Sequence, residues 1–331
     1  MRDHHTGTAR RVGAMCAEGL RRAEPALSAE PVPSGVAVPS GVDVPFTTVP
    51  APDGTRFGPL RRFAQIDSTN RYLLDEARAG APEGAVAVAD YQSAGRGRLG
   101  RRWEAPPGSN LLVSVLLRPR LAVEELHLCT VAVALAAAGA CERGAGVVPD
   151  LKWPNDLMVG GRKLGGILAE ALPAGTGAAG AGGSTPAVVV GLGLNVRWPP
   201  PGEAAPGEAE REEEQEEGSL STEHAELLKA ATSMWRQAAT ALEPLALLGL
   251  LLQELEVRLV DLADPAGRRR LASEYRRRCN TVGKKVRVSL PGEVFTGTAT
   301  DITLEGHLIV DVGTCLRTVA AGDVVHLRDQ G

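Results

Sequence analysis

The sequence predicts an α+β protein in two parts, a mixed-sheet domain with a few helices and then a small β-barrel. Three observations carry this expectation. The chain has 331 residues, 44% hydrophobic and 23% charged, an ordinary globular balance with length enough for one large domain and one small. From about Leu60 to residue 280, short runs rich in β-branched residues alternate with stretches of helical spacing. After Gly283 the texture changes to short alternating strands separated by tight glycine turns.

Residues 1–59 come first and read differently. Prolines recur from Pro25 to Pro59, and VPSGV appears at 32–36 and again at 38–42. Proline at this density opposes helix and central strand alike, so a disordered, extended tail is expected. Thr8 to Glu24 could form one amphipathic helix, too little for a helix-turn-helix reader of DNA. An over-extended start, with initiation at Met15 or later, is the other explanation.

The domain at 60–280 places strands at RFAQID, AVAVAD, LLVSVLL, VVPDLKW and AVVVGLGLNV. Ser68 to Ala79 and Val123 to Glu142 carry apolar residues at helical spacing. Two low-complexity inserts, GTGAAGAGGSTP at 175–186 and the Glu-rich 199–220, cannot bury a core and read as solvated loops. Leu227 to Leu259 reads as helical with a break at Pro244, and Arg268 to Cys279 as a further, basic helix. The last domain, 281–331, offers strands at KVRVSL, FTGTATDI, LIVDV, CLRTV and VVHLR.

The net charge of -4 hides an uneven distribution, because residues 201–217 hold eight glutamates and one arginine and leave the remainder at +3. Neither balance argues for nucleic acid by itself. Five cysteines form no CxxC pair, and their odd number fits a reducing compartment better than a disulfide framework or a zinc site. The longest apolar candidate, Val131 to Ala140, falls short of the ~18 to 20 residues that cross a bilayer, and no secretory apolar segment opens the chain. A cytoplasmic protein with no membrane partner is expected.

Three clusters carry chemistry. Gly95 to Trp103 packs three glycines and four arginines into nine positions. Glycines let a backbone approach a ligand, and arginine forks match carboxylate or phosphate oxygens. An anion-closing loop and an RNA-binding arginine cluster are both open from this stretch alone. Lys152-Trp153-Pro154-Asn155-Asp156 joins a lysine and an aspartate around a rigid turn, a pair suited to a phosphate and its Mg²⁺. Lys163, in GRKLGGILAE, begins a strand among apolar residues and glycines; a hairpin with a surface lysine is its plainer explanation. In VVGLGLN, Asn195 has an amide able to pair with a base edge, although glycine in a strand often marks only close packing. Asp67-Ser68-Thr69-Asn70 opens a helix as an N-cap or offers its hydroxyls to a polar ligand.

Taken in order, DSTN, YQSAGRGRLGRRW, KWPND with KLGGILAE, VVGLGLN and a small C-terminal barrel closely resemble the biotin protein ligases, in the monofunctional form without an N-terminal DNA-binding domain. The resemblance is dense over 60–197 and looser over 283–328. It implies the catalytic fold of biotin and lipoate ligases with an SH3-like barrel, and an enzyme that makes biotinyl-5′-AMP from biotin and ATP with Mg²⁺. Biotin then passes to a lysine of the biotin carboxyl carrier domain of an acyl-CoA carboxylase.

By the same resemblance, Lys163, Arg98 and Arg101 are the catalytic candidates. Ser68, Thr69, Asn70, Gln92, Gly95, Arg96, Gly97, Arg98, Lys163, Gly166 and Gly191 would hold biotin. Arg98, Arg101, Trp103, Asn155, Asp156, Lys163, Gly193 and Asn195 would hold ATP or the adenylate, with Trp103 on the adenine, Asn195 bonded to it and Asp156 near the Mg²⁺ that ATP brings. No tightly bound metal and no DNA partner are implied, and a homodimer through a sheet edge is allowed. Two rivals stand beside this reading: a lipoate or octanoate ligase or transferase of the same fold, and a non-enzymatic RNA-binding or regulatory protein.

Overall fold

The structure is a computed structural model; it describes residues 44–58, 60–173, 186–201, 229–238 and 242–327. Its larger part is an eight-stranded mixed sheet with helices on both faces. The strands are β1 (Thr47–Val49), β2 (Leu60–Phe63), β3 (Val86–Ala89), β4 (Leu111–Leu117), β5 (Asp150–Lys152), β6 (Asp156–Val159), β7 (Arg162–Leu172) and β8 (Ala187–Leu194). Their order is β1-β2-β3-β4-β8-β7-β6-β5, with β2 and β3 parallel and the other neighbours antiparallel.

The central strands are near-continuous apolar runs because both faces are covered. α1 (Thr69–Arg78) makes the crossover from β2 to β3 and lies on one face, where Ala87 and Ala89 meet it beside Leu73 and Leu74. Val86 and Val88, one position out of phase, point to the other face. There α2 (His127–Ala145) packs against α4 (Pro244–Leu262). Gly139 and Gly144 let the two helices approach, since a Cβ at either would press on Glu254 or on Leu247 and Leu250. α3 (Met234–Ala238) precedes α4, and α5 (Pro265–Arg278) follows it, capped by Asp264.

A second, fully antiparallel sheet ends the described chain: β9 (Lys285–Leu290), β10 (Glu293–Ile302), β11 (Leu308–Asp311), β12 (Leu316–Val319) and β13 (Asp323–His326), in the order β12-β11-β10-β9-β13. The expected strands and glycine turns of this SH3-like domain are all present.

Two expectations change. The tail does not extend to residue 59, because β1 pairs with β2 in register Thr47↔Arg62 and Phe57, 4% exposed, belongs to the core. The prolines misled here by flanking a strand of three residues, Pro45 before it and Pro50 after it, an arrangement an edge strand tolerates. Residues 1–43 lie outside the described residues, as do the two inserts apart from Pro186 and residues 199–201. The break expected at Pro244 is present: residues 242–243 are outside any helix, and Pro244 begins α4, in the first turn where its missing N–H costs nothing. Residues Val123–Ala145 are long and apolar enough to cross a bilayer by length and composition, which the Val131 to Ala140 run understated; 67% of that window is buried inside the fold. β6 and β7 form the hairpin named as the plainer explanation of the Lys163 segment, turned by Gly160 and Gly161 at φ 57° and 77°.

Candidate active site

A cavity of about 330 Å³ lies over β7 and β8, closed by the start of α1, the Gly95–Trp103 loop, the Lys152–Asp156 turn and the edge strand β13. It brings together Ser68, Thr69, Asn70, Gln92, Arg96, Gly97, Arg98, Arg101, Trp103, Asn155, Asp156, Lys163, Gly166, Gly191 and Gly193. Gly95 and Asn195 are not among its lining residues.

The floor follows from strand periodicity. Gly191 and Gly193 lie two apart on β8, so both present the same face about 7 Å from each other. Gly191 lies beneath Asn70 and Ser114, and Gly193 beneath the Trp103 indole. Gly193 pairs across the sheet with Gly166, and together they open the depression in which Trp103 rests. A Cβ at Gly191 or Gly193 would collide with the side chain above it, and one at Gly166 would crowd Lys163 and Trp103.

Over Gly191 stands an uncharged shelf. Ser68 caps α1, accepting the Arg71 N–H at 3.4 Å, as the plainer explanation of DSTN expected. Thr69 donates its backbone N–H to Gln92 Oε1 at 2.8 Å, and its hydroxyl lies 3.1 Å from the same oxygen. The Ser114 hydroxyl lies 2.7 Å from Thr69 Oγ1 and 2.6 Å from Asn70 Oδ1. Asn70 Nδ2 donates to the Leu168 carbonyl and to Glu170 Oε2. Ser68, Thr69, Asn70 and Ser114 are buried and Gln92 is half-buried, and the hydrogen bonds fix the direction each offers a ligand.

Over Gly193 the groups are charged. Lys163 Nζ lies 2.6 Å from Asp156 Oδ1 and 5.7 Å from the centre of the Trp103 ring. Arg98 donates to Asn155 Oδ1 and to the Gly322 carbonyl, both at 3.2 Å, and Arg101 pairs with Asp323 at 2.8 Å. Burial pushes the pKa of Arg98 down, opposed by the carboxylates of Asp156 and Asp323. The Gly95–Trp103 loop is a closed hairpin, with Gly97 N–H on the Arg101 carbonyl and Trp103 N–H on the Gly95 carbonyl. At its tip Leu99 adopts φ 56°, a left-handed conformation unusual for leucine, and is exposed.

Asn195 is held by partners within the fold. Its Oδ1 accepts from Asn110 and its Nδ2 donates to the Thr232 carbonyl, both at 3.0 Å, so the amide is spent on holding β8 to the segment before α3. It lines a smaller neighbouring cavity with Trp103, Lys163 and Trp198 instead. Asn155 also works partly within the fold, donating to the Ile167 carbonyl at 2.8 Å. Three residues escaped the sequence reading as contributors: Ser114, Glu170 and Asp323. A lone serine inside LLVSVLL was the signal for the first; Glu170 closes the KLGGILAE run and also pairs with Arg96 at 2.9 Å.

Comparisons with known proteins agree with this arrangement. The Biotin/lipoate A/B protein ligase family matches residues 62–194, and the Biotin protein ligase C terminal domain matches residues 281–327. The Biotin--[acetyl-CoA-carboxylase] ligase of Mycobacterium tuberculosis is 36% identical over 283 residues, spanning 83% of this chain and 91% of that protein. The Bifunctional ligase/repressor BirA of Escherichia coli is 26% identical over 78% of this chain and 71% of its own length. Among solved structures, the biotin protein ligase from Aquifex aeolicus in complex with biotin and ATP superposes with a TM-score of 0.61 at 21% identity, over 82% of this chain and 99% of that one, a likeness of fold. On the identity and coverage of its relatives, the chain belongs to the biotin protein ligase family.

Proposed function

We infer that this protein is an ATP-dependent biotin ligase, which joins biotin to AMP and then to a lysine of the biotin carboxyl carrier domain of an acyl-CoA carboxylase. The observation that carries the reading is the pairing, on one floor, of an uncharged shelf over Gly191 with a cationic end over Gly193. A neutral ureido ring suits the first, and a carboxylate meeting a triphosphate suits the second.

The charge problem sets the mechanism. A biotin carboxylate approaching the α-phosphorus of ATP is repelled by like charge, and fixed cations remove that repulsion without reorganising. In this reading Lys163 leaves Asp156 to bind the carboxylate oxygen and then the adenylate, while Arg98 and Arg101 neutralise the phosphates. The carboxylate oxygen bonds to the α-phosphorus as pyrophosphate departs. In the second step the carrier lysine, as a free amine, attacks the acyl carbon; an amide forms, AMP leaves, and the amine gives up a proton.

Asp156, beside these cations, is the candidate for the Mg²⁺ that ATP brings; among the described residues no cluster of three metal-ligating side chains exists to hold a resident ion. Ser68, Thr69, Asn70 and Gln92 are assigned to the ureido ring, Arg96 and Gly97 to its cover, and Trp103 to the adenine. The Gly95–Trp103 loop keeps water from the acyl-adenylate. We place the enzyme in the cytoplasm, acting without DNA or membrane; its described cysteines, Cys129, Cys141, Cys279 and Cys315, are free thiols, which favours a reducing compartment.

The test is biotin-dependent exchange of radiolabelled pyrophosphate into ATP, followed by transfer of labelled biotin to a carrier domain. Exchange with biotin is expected. Exchange only with lipoate or octanoate would move the protein to that sister activity, and none with any of the three acids would reopen a binding role.

A further inference from the structure

Six cationic side chains and two carboxylates line the cavity. Five of the cations are already engaged: Arg96 with Glu170, Arg98 with Asn155 and Gly322, Arg101 with Asp323, Arg102 with Glu104, and Lys163 with Asp156. Lys152 is the sixth. Among the described residues its ammonium has no anionic partner, and both lining carboxylates are taken by other cations.

Lys152 also stands where the two sheets join. The carbonyl of Leu151 accepts from Asn280 N–H at 2.8 Å, and Trp153 N–H donates to Thr281 Oγ1 at 3.0 Å. The same hydroxyl lies 3.0 Å from His326 Nε2, and Lys284 closes the turn through its N–H to the Thr281 carbonyl at 3.1 Å. The charges of Lys152 and Lys284 both reach the His326 imidazole and add to the burial that holds its pKa down. Lys152 therefore lines the cavity at the point where the two sheets join.

We propose that Lys152 holds the β- and γ-phosphates of ATP and takes up the charge of the departing pyrophosphate. The inference rests on the biotin-ligase reading. When the carboxylate oxygen bonds to the α-phosphorus, the bond from that phosphorus to the bridging oxygen breaks and its electron pair stays with pyrophosphate. Negative charge grows on that oxygen, and no proton needs to move. Lys152 meets this charge without first giving up an ion pair, whereas Lys163 and Arg101 must leave Asp156 and Asp323 to do so. The transfer step involves no pyrophosphate, so Lys152 has no part in it.

This split gives the test. Lys152→Gln should raise the KM for ATP and the inhibition constant of pyrophosphate about tenfold, and slow pyrophosphate exchange, while transfer from supplied biotinyl-5′-AMP to a carrier domain keeps its rate. Lys152→Arg should restore most of the exchange. Unchanged exchange in Lys152→Gln, or equal loss in both half-reactions, would overturn the assignment. Absence of biotin-dependent exchange in the unmodified protein would instead remove the ligase reading beneath it.

Discussion

Over Gly191, the Thr69, Asn70, Gln92 and Ser114 side chains come from one domain and form one hydrogen-bonded chain inside it, beside Ser68, which caps α1. Over Gly193, Arg98 and Arg101 reach Gly322 and Asp323 on the C-terminal side, and Lys152 sits between hydrogen bonds to Asn280 and Thr281. The shelf exists as soon as the larger sheet has folded. The charged end, although Lys163, Asp156 and Asn155 belong to the larger sheet, is completed only when the two sheets meet. Binding of the neutral ring of biotin should therefore be insensitive to disturbance of the junction, and binding of ATP should depend on it.

The largest expected effect removes the group that serves both substrates. Lys163→Ala should lower the rate of pyrophosphate exchange by about three orders of magnitude, the scale of losing a fixed charge from a reacting centre. The side chain is 37% exposed and fills no core volume, so the melting temperature should hardly move. Normal turnover in this variant would refute the role given to Lys163.

A pH series separates the ends next. His127, at the start of α2, packs against Gly306 of the C-terminal domain, and its Nε2 is buried without a hydrogen bond among the described residues. Burial, then His307 and Arg98, lower its pKa to about 4 from the ordinary 6.5. The folded protein thus keeps the ring neutral while the unfolded chain protonates it first. The stabilisation is complete above pH 6.5 and is lost as pH falls toward 4, by at most about 3 kcal/mol. Between pH 7 and 5 the melting temperature should fall and the KM for ATP should rise, with biotin affinity less affected. His127→Gln should flatten the stability trend; an equally steep trend in that variant would clear His127 of the effect.

On the shelf itself, Gly191→Ala should act on the other substrate. A Cβ there would overlap Asn70 Oδ1 and crowd Ser114 Oγ, so Asn70 must leave its hydrogen bonds. Overpacking of this kind costs about 1 to 3 kcal/mol. The KM for biotin should rise by about ten- to thirtyfold and that for ATP by less than twofold. Equal changes in both would mean that the ends are not independent.

The same division explains what the sequence disclosed. GRGRLGRRW and KWPND stand out because cations are set among glycines or beside a fixed turn within a few residues, a pattern that serves a ligand better than a core. Gly191 and Gly193 gain meaning from strand periodicity alone. Ser114 stayed hidden because a single hydroxyl in an apolar strand looks tolerable until Thr69 and Asn70 are seen above it. Asp323 stayed hidden because its partner Arg101 is 222 residues away in the chain. The internal partner of Asn195 stayed hidden for a similar reason: its amide faces Asn110, whose position opposite β8 comes from strand pairing and not from local spacing. β1 was lost to its flanking prolines, which describe an edge strand as well as they describe a tail.

The smallest effect tests the junction most directly. Asp323 fixes the Arg101 guanidinium from β13, but Arg101 is 66% exposed in that pair, and exposed ion pairs contribute about 0 to 1 kcal/mol. Asp323→Asn keeps the shape and removes the charge. The KM for ATP should rise by no more than about fivefold, the factor that 1 kcal/mol allows, while biotin binding and thermal stability stay level. High salt should weaken the unmodified pair in the same direction, so the difference between the two proteins should shrink as ionic strength rises. A loss much larger than fivefold, persisting in high salt, would mean that Asp323 touches the nucleotide or its metal itself, and that the charged end is built more by the C-terminal domain than by the arginines it holds.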